Sequence, residues 1–300
     1  RISEAVTVTN HSDLVVLVLG LNENLEGEEG DTGNQFASGD KIDLSFPEAQ
    51  RYLMENVYKT AKEKGVPVIT ISMTGSAMDM READEKSAAV LQAWYPGAVG
   101  GREVAKILSG EVNPSAKLPV TVYKTTEELP PFEDYSMKNR TYRYMENEAF
   151  YPFGFGLTYS DISIDAVAAD TESFADASKS GAKIKVTLKN NSGVAGTEVV
   201  QIYVKNDDVN ETLHPHLAAF ERVDVPANGT AEVEVIVPDS AFTTVKQKTS
   251  EVFSNVKETT SDFASEVKEK ASNAKDKVVA TAISAKEKTV ETASNIGEAI

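Results

Sequence analysis

The first 125 residues alternate between apolar runs and amphipathic segments. Continuous apolar runs over residues 14–21, 66–73 and 89–95 predict three strands that are buried on both faces. Apolar positions at four-residue spacing after Pro47 predict a helix over residues 47–64, and a further helix is expected over Gly100–Leu108. Strands that alternate with helices predict an α/β domain over residues 1–159, with a mostly parallel sheet sandwiched by helices.

The pattern changes to short alternating segments over residues 160–241. Polar and apolar positions alternate along residues 183–188, and strands are also expected at 198–204, 218–225 and 231–237. Asn- and Gly-containing turns separate these segments, as in the sequences NNSG and PANG. This spacing predicts an all-β, antiparallel sandwich as the second domain.

Residues 242–300 have a third pattern, an 11-residue repeat. Valine recurs at this interval, and a second apolar register runs beside it on the same helical face, as seen at Val245, Val256, Val267 and Val278 and at Val252, Phe263, Ala274, Ala285 and Ile296. The repeat predicts a long amphipathic helix with a lipid surface or a partner helix on its apolar stripe. A disordered, solvated tail is the alternative, because valine is a poor helix former.

Charge and composition narrow the function classes. The formal net charge of -17 argues against nucleic acid or an anionic membrane as the main partner, and it fits a neutral ligand such as a sugar. No apolar run approaches 18 residues, so no membrane span is expected. The absence of cysteine favours the cytoplasm over secretion, although many secreted proteins also lack cysteine. The chain opens on Arg1 without a leader, so we expect it to be cut from a longer protein.

Four groups of sequence motifs occur in the order that is typical of one enzyme family. They are GLNENLEGEEGD with GDK and LSFPEAQ over residues 20–50, WYPG with NPSAKLPVT over 94–121, YRY with YPFGFGLTY over 142–159, and GTEVVQIYV over 196–204. Together they resemble the family 3 glycoside hydrolases, over roughly residues 1–240.

The resemblance implies a three-part enzyme. A (β/α)8 barrel would supply an Asp nucleophile, and an α/β sandwich domain would supply the acid/base carboxylate. A fibronectin type III-like domain would pack behind these two domains. The nucleophile motif, an Asp just before a Trp or another large residue, has no counterpart here, since Ala93 precedes the only tryptophan, Trp94. The chain is therefore expected to be the C-terminal part of an exo-acting β-glycosidase for β-glucosides or β-xylosides, inactive without the barrel and needing no cofactor or metal. The alternative is a non-catalytic carbohydrate-binding or structural module.

The acidic segment LEGEEGD is the candidate source of the acid/base. Retaining glycosidases need two carboxyl groups about 5 to 5.5 Å apart, and the proton donor must have a raised pKa. Clustered carboxylates on a glycine-rich loop raise each other's pKa. The resemblance implies Glu28 as the first candidate and Glu26 as the second, while the adjacent Glu29 leaves the alignment ambiguous. A solvated acidic loop is the alternative interpretation.

Asp40 and Lys41 are the candidate substrate-binding pair. The resemblance places them where relatives carry Asp-Arg, and implies that they position the acidic loop or contact sugar hydroxyls. Lysine lacks the planar bidentate fork of arginine, so this position departs from the family pattern.

Other conspicuous residues are expected to be structural. Trp94 is predicted to be a core residue at a strand end rather than a sugar-stacking platform, and residues 142–144 to support the junction between the domains. His214 and His216 form a pair without a cysteine in the chain, which predicts a surface loop rather than a metal site. Residues 74–77 are expected to form an ordinary strand-to-helix turn.

Overall fold

The protein is described by a computed structural model that covers residues 1–27, 41–171, 173–205 and 213–243. Its helices are α1 (Ile2–Asn10), α2 (Glu23–Glu26), α3 (Glu48–Lys64), α4 (Arg81–Lys86), α5 (Gly100–Leu108), α6 (Thr141–Tyr144), α7 (Phe174–Ser180) and α8 (Ser240–Thr243). Its strands are β1 (Val15–Gly20), β2 (Val68–Met73), β3 (Ala89–Gln92), β4 (Ile162–Ala169), β5 (Ala182–Asn190), β6 (Gly196–Val204), β7 (His216–Val225) and β8 (Thr230–Val237). The 11-residue repeat after residue 243 lies outside the described residues.

The first three strands form a parallel sheet in the order β1-β2-β3. Val15 pairs with Val68 and Ile69 with Ala89, so the registers of both pairs are continuous. This confirms the predicted α/β architecture with a parallel sheet. No helix in the described ranges is long and apolar enough to cross a bilayer.

Helix α3 covers one face of this sheet, as its sequence pattern predicts. Pro47 sits at the N-cap, and Gly65 ends the helix in the left-handed conformation with φ 71° and ψ 25°. Glycine adopts this conformation without steric cost, which explains the sharp stop after 17 residues. The buried side chains of the helix pack against β1 and β2, including Met54, Val57, Tyr58 and Ala61.

The other face of β1 is more open than its apolar sequence predicts. Leu17 and Leu19 point into the core at 6% and 3% exposure, but Val16 and Val18 on the opposite face are 42% and 51% exposed. The prediction of a strand buried on both faces is therefore wrong for β1. The reason is that alternate side chains of a strand point to opposite faces, and α3 covers only one of them.

Strand β3 is shorter than predicted. It ends at Gln92, and the backbone then turns so that Trp94 has a φ of 55°. A non-glycine residue in this region is uncommon and carries local strain. The turn redirects the chain after β3 and brings Tyr95 towards the neighbouring strand ends.

Two antiparallel sheets form the region after residue 160. One has the order β4-β5-β8 and the other is the pair β6-β7. Alternating residues of both sheets share one apolar core, made of Val186, Leu188, Val200, Val225 and Val235. The antiparallel strands match the predicted alternation, whereas β4 and α7 were not predicted. Although the sequence ISIDAVAA of β4 is mostly apolar, six of its eight residues are exposed.

Polar contacts join the α/β region to the antiparallel region. Oδ1 of Asn113 accepts hydrogen bonds from Oγ1 of Thr158 and the backbone N–H of Tyr159, both at 2.8 Å. Nδ2 of Asn113 donates to Oγ of Ser160 at 2.7 Å and to the carbonyl of Ala195 at 3.0 Å. Both the oxygen and the NH₂ group of the Asn113 side chain thus form hydrogen bonds at the junction, which explains why an asparagine begins the NPSAKLPVT motif.

Tyr142 supports the same junction, as predicted for residues 142–144. Its ring stacks on Phe153 with centroids 4.4 Å apart and meets Tyr203 edge to face at 6.3 Å. Its hydroxyl accepts a hydrogen bond from the backbone N–H of Leu217 at 2.9 Å. These contacts tie the segment before β4 to strands β6 and β7.

Candidate functional site

The candidate site lies at the edge of the parallel sheet where all three strands end. Helix α2 with Glu26 follows β1, the turn with Gly75 and Ser76 follows β2, and Tyr95 follows β3. In open α/β sheets, ligands bind outside the carboxyl ends of the strands. The topology therefore collects these polar groups at the edge where function is expected.

The end of β1 is fixed by a side chain of the LSFPEAQ motif. The amide of Gln50, on α3, accepts from the N–H of Gly20 at 2.9 Å and donates to its carbonyl at 2.6 Å. A Cβ at Gly20 would lie 2.1 Å from the carbonyl oxygen of Met73, so only glycine fits there. The chain therefore leaves β1 towards Glu26 in a fixed direction.

The carboxylate of Glu26 is held by three hydrogen bonds from two strand ends. Its Oε1 accepts from the backbone N–H of Gly75 at 2.9 Å and from the hydroxyl of Tyr95 at 3.0 Å. Its Oε2 accepts from Oγ of Ser76 at 2.8 Å. The side chain thus closes the gap between the segment after β1 and the turns after β2 and β3.

These contacts decide the protonation state of Glu26. Partial burial on its own would raise the pKa of the carboxyl, but the hydrogen bonds from Ser76, Tyr95 and Gly75, with the charge of Lys41, outweigh it and lower the pKa. The pKa of Tyr95 is raised, by burial and by its hydrogen bond to Glu26. At neutral pH the site therefore contains an ionised carboxylate and a neutral phenol.

Lys41 also binds the turn after β2. Its ammonium donates to Oγ of Ser76 and to the carbonyl of Ala77, both at 2.8 Å, and to Sδ of Met78 at 3.2 Å. Burial lowers the pKa of Lys41, although the carboxylates of Glu26 and Asp43 oppose that effect. An ammonium has three N–H donors, and all three are engaged. Of the two roles considered for Lys41, these contacts favour positioning the loop over contacting sugar hydroxyls.

The structure describes two of the four predicted site residues. Oε2 of Glu26 and Nζ of Lys41 each lie 2.8 Å from the hydroxyl oxygen of Ser76. Glu28 and Asp40 lie outside the described residues, so their roles stay predictions.

Sequence reasoning missed Gly75, Ser76 and Tyr95 as partners of Glu26. The prediction of an ordinary turn at residues 74–77 overlooked its free N–H and hydroxyl groups, and Tyr95 was quoted only as part of a motif. The available signal was topological, because residues that follow parallel strands meet at one edge.

The described part of the chain contains no cluster of three or more His, Asp or Glu side chains that could hold a metal ion. A ring nitrogen of His214, Nε2, lies 2.7 Å from the carbonyl oxygen of Met145, and its backbone N–H donates to the carbonyl of Arg143. These contacts tie His214 to the segment before β4. The predicted surface loop holds for His214, which lies in an exposed bend, but is wrong for His216, which is the first residue of β7.

Comparison with known proteins identifies the family. The family model for the glycosyl hydrolase family 3 C-terminal domain matches residues 1–159. A xylan 1,4-β-xylosidase of Xylanibacter ruminicola is 38% identical over 219 residues, which are 72% of this chain and 24% of that protein. A β-glucosidase of Bacteroides ovatus is 30% identical over 274 residues, covering 82% of this chain and 34% of that protein.

Solved structures agree with this assignment. The crystal structure of a β-glucosidase from Listeria innocua in complex with isofagomine has a TM-score of 0.62 and 29% sequence identity, over 80% of this chain and 34% of that one. The chain therefore belongs to glycosyl hydrolase family 3, through the family's C-terminal domain. It spans about a quarter to a third of the length of these relatives.

Proposed function

We propose that this chain is the C-terminal part of an exo-acting β-glycosidase that hydrolyses β-xylosides or β-glucosides. The relatives are named as a xylan 1,4-β-xylosidase and β-glucosidases, which supports both the reaction and the substrate class. The observation that carries the proposal is that Glu26, in the acidic segment, and Lys41 bind the same turn at the carboxyl edge of the parallel sheet.

Glu28 is the proposed general acid/base. In a retaining glycosidase it protonates the leaving oxygen as the glycosidic bond breaks, and it then removes a proton from the attacking water. Glu26 is less suited to this task, because its two oxygens already accept three hydrogen bonds and its pKa is lowered. A general acid needs a pKa near the working pH.

The nucleophile is proposed to come from a barrel domain outside these 300 residues. One carboxyl group cannot both protonate the leaving group and attack the anomeric carbon on its opposite side, so the retaining reaction needs a second carboxylate. The sequence offers no nucleophile motif, since the only tryptophan follows Ala93. The chain by itself is therefore expected to supply part of the active site but not to hydrolyse glycosides.

Three units are proposed for the chain: an α/β sandwich domain over residues 1–159, a fibronectin type III-like domain over 160–241, and a helical tail over 242–300. The two antiparallel sheets with a shared core support the second unit. The tail proposal rests on the 11-residue repeat alone. Circular dichroism of the excised tail with and without lipid vesicles tests it, and no gain in helix would exclude a lipid surface as its partner.

The test of the acid/base uses protein that carries the barrel, either the full-length polypeptide or this chain joined to the barrel of a relative. Glu28→Ala should slow hydrolysis of glycosides with poor leaving groups about 10²- to 10⁴-fold, and activated aryl glycosides far less, because these need little protonation. Azide should restore part of the lost turnover. Equal loss on both substrates, without rescue by azide, would contradict the role of Glu28.

A further inference from the structure

Glu26 and Lys41 bind the same turn from opposite ends of one segment. Residues 28–40 run between them along the chain, and the turn over residues 75–78 receives both side chains. Oγ of Ser76 stands at the centre, because it donates to Oε2 of Glu26 and accepts from Nζ of Lys41, both at 2.8 Å. One hydroxyl therefore links an anionic and a cationic side chain that lie 15 positions apart in sequence.

The contacts of Glu26 are those of an anchor rather than of a proton donor. A carboxyl that transfers a proton needs one oxygen directed at the reacting group, in reach of the substrate. Oε1 of Glu26 accepts from both Gly75 and Tyr95, and Oε2 accepts from Ser76, so each oxygen faces the protein. A protonated Glu26 would place its own hydrogen against one of these donors.

Tyr95 adds a third strand end to the anchor. It follows β3, and its ring lies so close to Gly75 that a Cβ there would be 2.7 Å from its Cε2 atom. The ring therefore packs over the turn while its hydroxyl reaches Glu26. The anchor thus spans the ends of all three parallel strands, although its members are 49 to 69 positions apart from Glu26.

We propose that Glu26 is a positioning residue, and that Glu26 and Lys41 form a clasp that ties two stretches of chain, one ending in α2 and one beginning at Lys41, to the turn after β2. The proton transfer belongs to a different carboxyl group. The link to catalysis rests on the proposed function, whereas the clasp itself is a property of this chain and is tested without any turnover.

The first test follows the Glu26 carboxyl in the 300-residue chain by ¹³C NMR during a pH titration. The titrating groups that face it are Lys41, whose pKa burial lowers from the ordinary value of a lysine, and Tyr95, whose pKa is raised by burial and by its hydrogen bond to Glu26. We expect Glu26 to titrate below the ordinary range of a glutamate, and Tyr95→Phe, which removes one donor and keeps the ring, to raise its pKa. A Glu26 pKa in or above the ordinary range would overturn the clasp.

The second test measures whether the clasp holds the turn after β2. The backbone N–H of Gly75 donates to Oε1 of Glu26 at 2.9 Å, so its hydrogen-exchange rate reports on that contact. Glu26→Ala should raise this rate at least tenfold. Glu23→Gln, at an exposed position of the same short helix, is the matched control and should leave it unchanged. Equal rates for Glu26→Ala and Glu23→Gln would overturn the proposal.

The third test separates positioning from proton transfer in protein that carries the barrel. Glu26→Gln should reduce kcat by a similar factor for activated and poor leaving groups, azide should not restore it, and Glu26→Asp should recover part of the loss. A loss confined to poor leaving groups and rescued by azide would make Glu26 the proton donor and overturn its positioning role. If Glu28→Ala shows no dependence on the leaving group while the first two tests succeed, the proposed function fails and the clasp stands.

Discussion

Nζ of Lys117 lies 2.9 Å from Oε1 of Glu198 in an ion pair whose side chains are only 17% and 19% exposed. The pair joins the NPSAKLPVT motif to strand β6, so it connects the α/β region with the antiparallel region. Lys117 also donates to the carbonyl of Gly156 at 3.1 Å, next to the segment that enters β4. Three family motifs, NPSAKLPVT, YPFGFGLTY and GTEVVQIYV, therefore meet at the junction between these regions, where their contacts fix the geometry.

Removal of one partner of this ion pair should destabilise the protein. Lys117→Met or Glu198→Gln leaves a largely buried charge or acceptor without its partner, which costs about 1–3 kcal/mol in the free energy of unfolding. The double variant should lose less than the sum of the single losses. Urea denaturation of the three variants measures this.

The matched control for this ion pair is Lys185 with Glu232, which are 2.7 Å apart but 55% and 58% exposed. Lys185→Met should leave the urea midpoint almost unchanged, because water screens the exposed pair. If Lys185→Met loses as much unfolding free energy as Lys117→Met, burial does not explain the contribution of the Lys117–Glu198 pair.

Two valines should differ sharply in their contribution to stability. Val68 on β2 is 2% exposed and Val18 on β1 is 51% exposed. Val68→Ala should cost about 2 kcal/mol or more of unfolding free energy, because it removes buried methyl groups and leaves a cavity, whereas Val18→Ala should cost less than about 1 kcal/mol. Thermal and urea unfolding check the difference. Equal losses would show that the open face of β1 is covered in solution.

Gly75→Ala should displace Tyr95. The new Cβ would approach Cε2 of the ring to 2.7 Å, and the half-exposed ring can yield only by moving its hydroxyl away from Glu26. The pKa of Glu26 should then rise towards its usual value, which ¹³C NMR detects. Gly101→Ala on α5 is the control, since nothing lies within 4 Å of its Cβ position. It should leave the Glu26 pKa unchanged and stabilise the protein by about 0.4–1 kcal/mol.

The stability contributed by the Glu26 carboxylate should decrease as the pH falls. Its pKa is lower in the folded chain than in the unfolded chain, because three donors favour the ionised form. The stabilisation is therefore fully present above the unfolded pKa of about 4.3, and it is lost as the pH falls through the folded pKa. The difference in urea midpoint between the parent chain and Glu26→Gln should be constant from pH 6 to 8 and shrink below pH 4. If the difference in urea midpoint grows on acidification instead, the pKa of Glu26 is raised in the folded chain and not lowered.

Local sequence patterns predicted much of the fold because each carries its own structural signal. The apolar runs predicted the three parallel strands, Pro47 with the apolar spacing after it predicted α3, and alternation predicted β5 to β8. The exposure of Val18 was not predictable in this way, since an apolar run does not show which of its two faces another element covers.

The candidate site was predictable only in part, because its contacts join distant positions. The acidic segment stood out through its charge and its family resemblance. The residues that hydrogen-bond Glu26 did not stand out in the sequence. Tyr95, for example, lies 69 positions from Glu26 and has no unusual local pattern. Only the topology of the sheet, which brings the ends of β1, β2 and β3 together, identifies Ser76 and Tyr95 as partners of Glu26.

The most direct measurement is the hydrolysis of aryl β-xylosides and β-glucosides by the purified 300-residue chain, assayed alone and with a separately expressed barrel domain. The chain alone should fold and show no turnover, because the proposed acid/base Glu28 has no opposing carboxylate from a barrel. Addition of a barrel that associates with it should produce turnover that Glu28→Ala removes for poor leaving groups. Turnover by the chain alone, abolished by mutation of a carboxylate within it, would contradict the proposal and place the nucleophile among these residues.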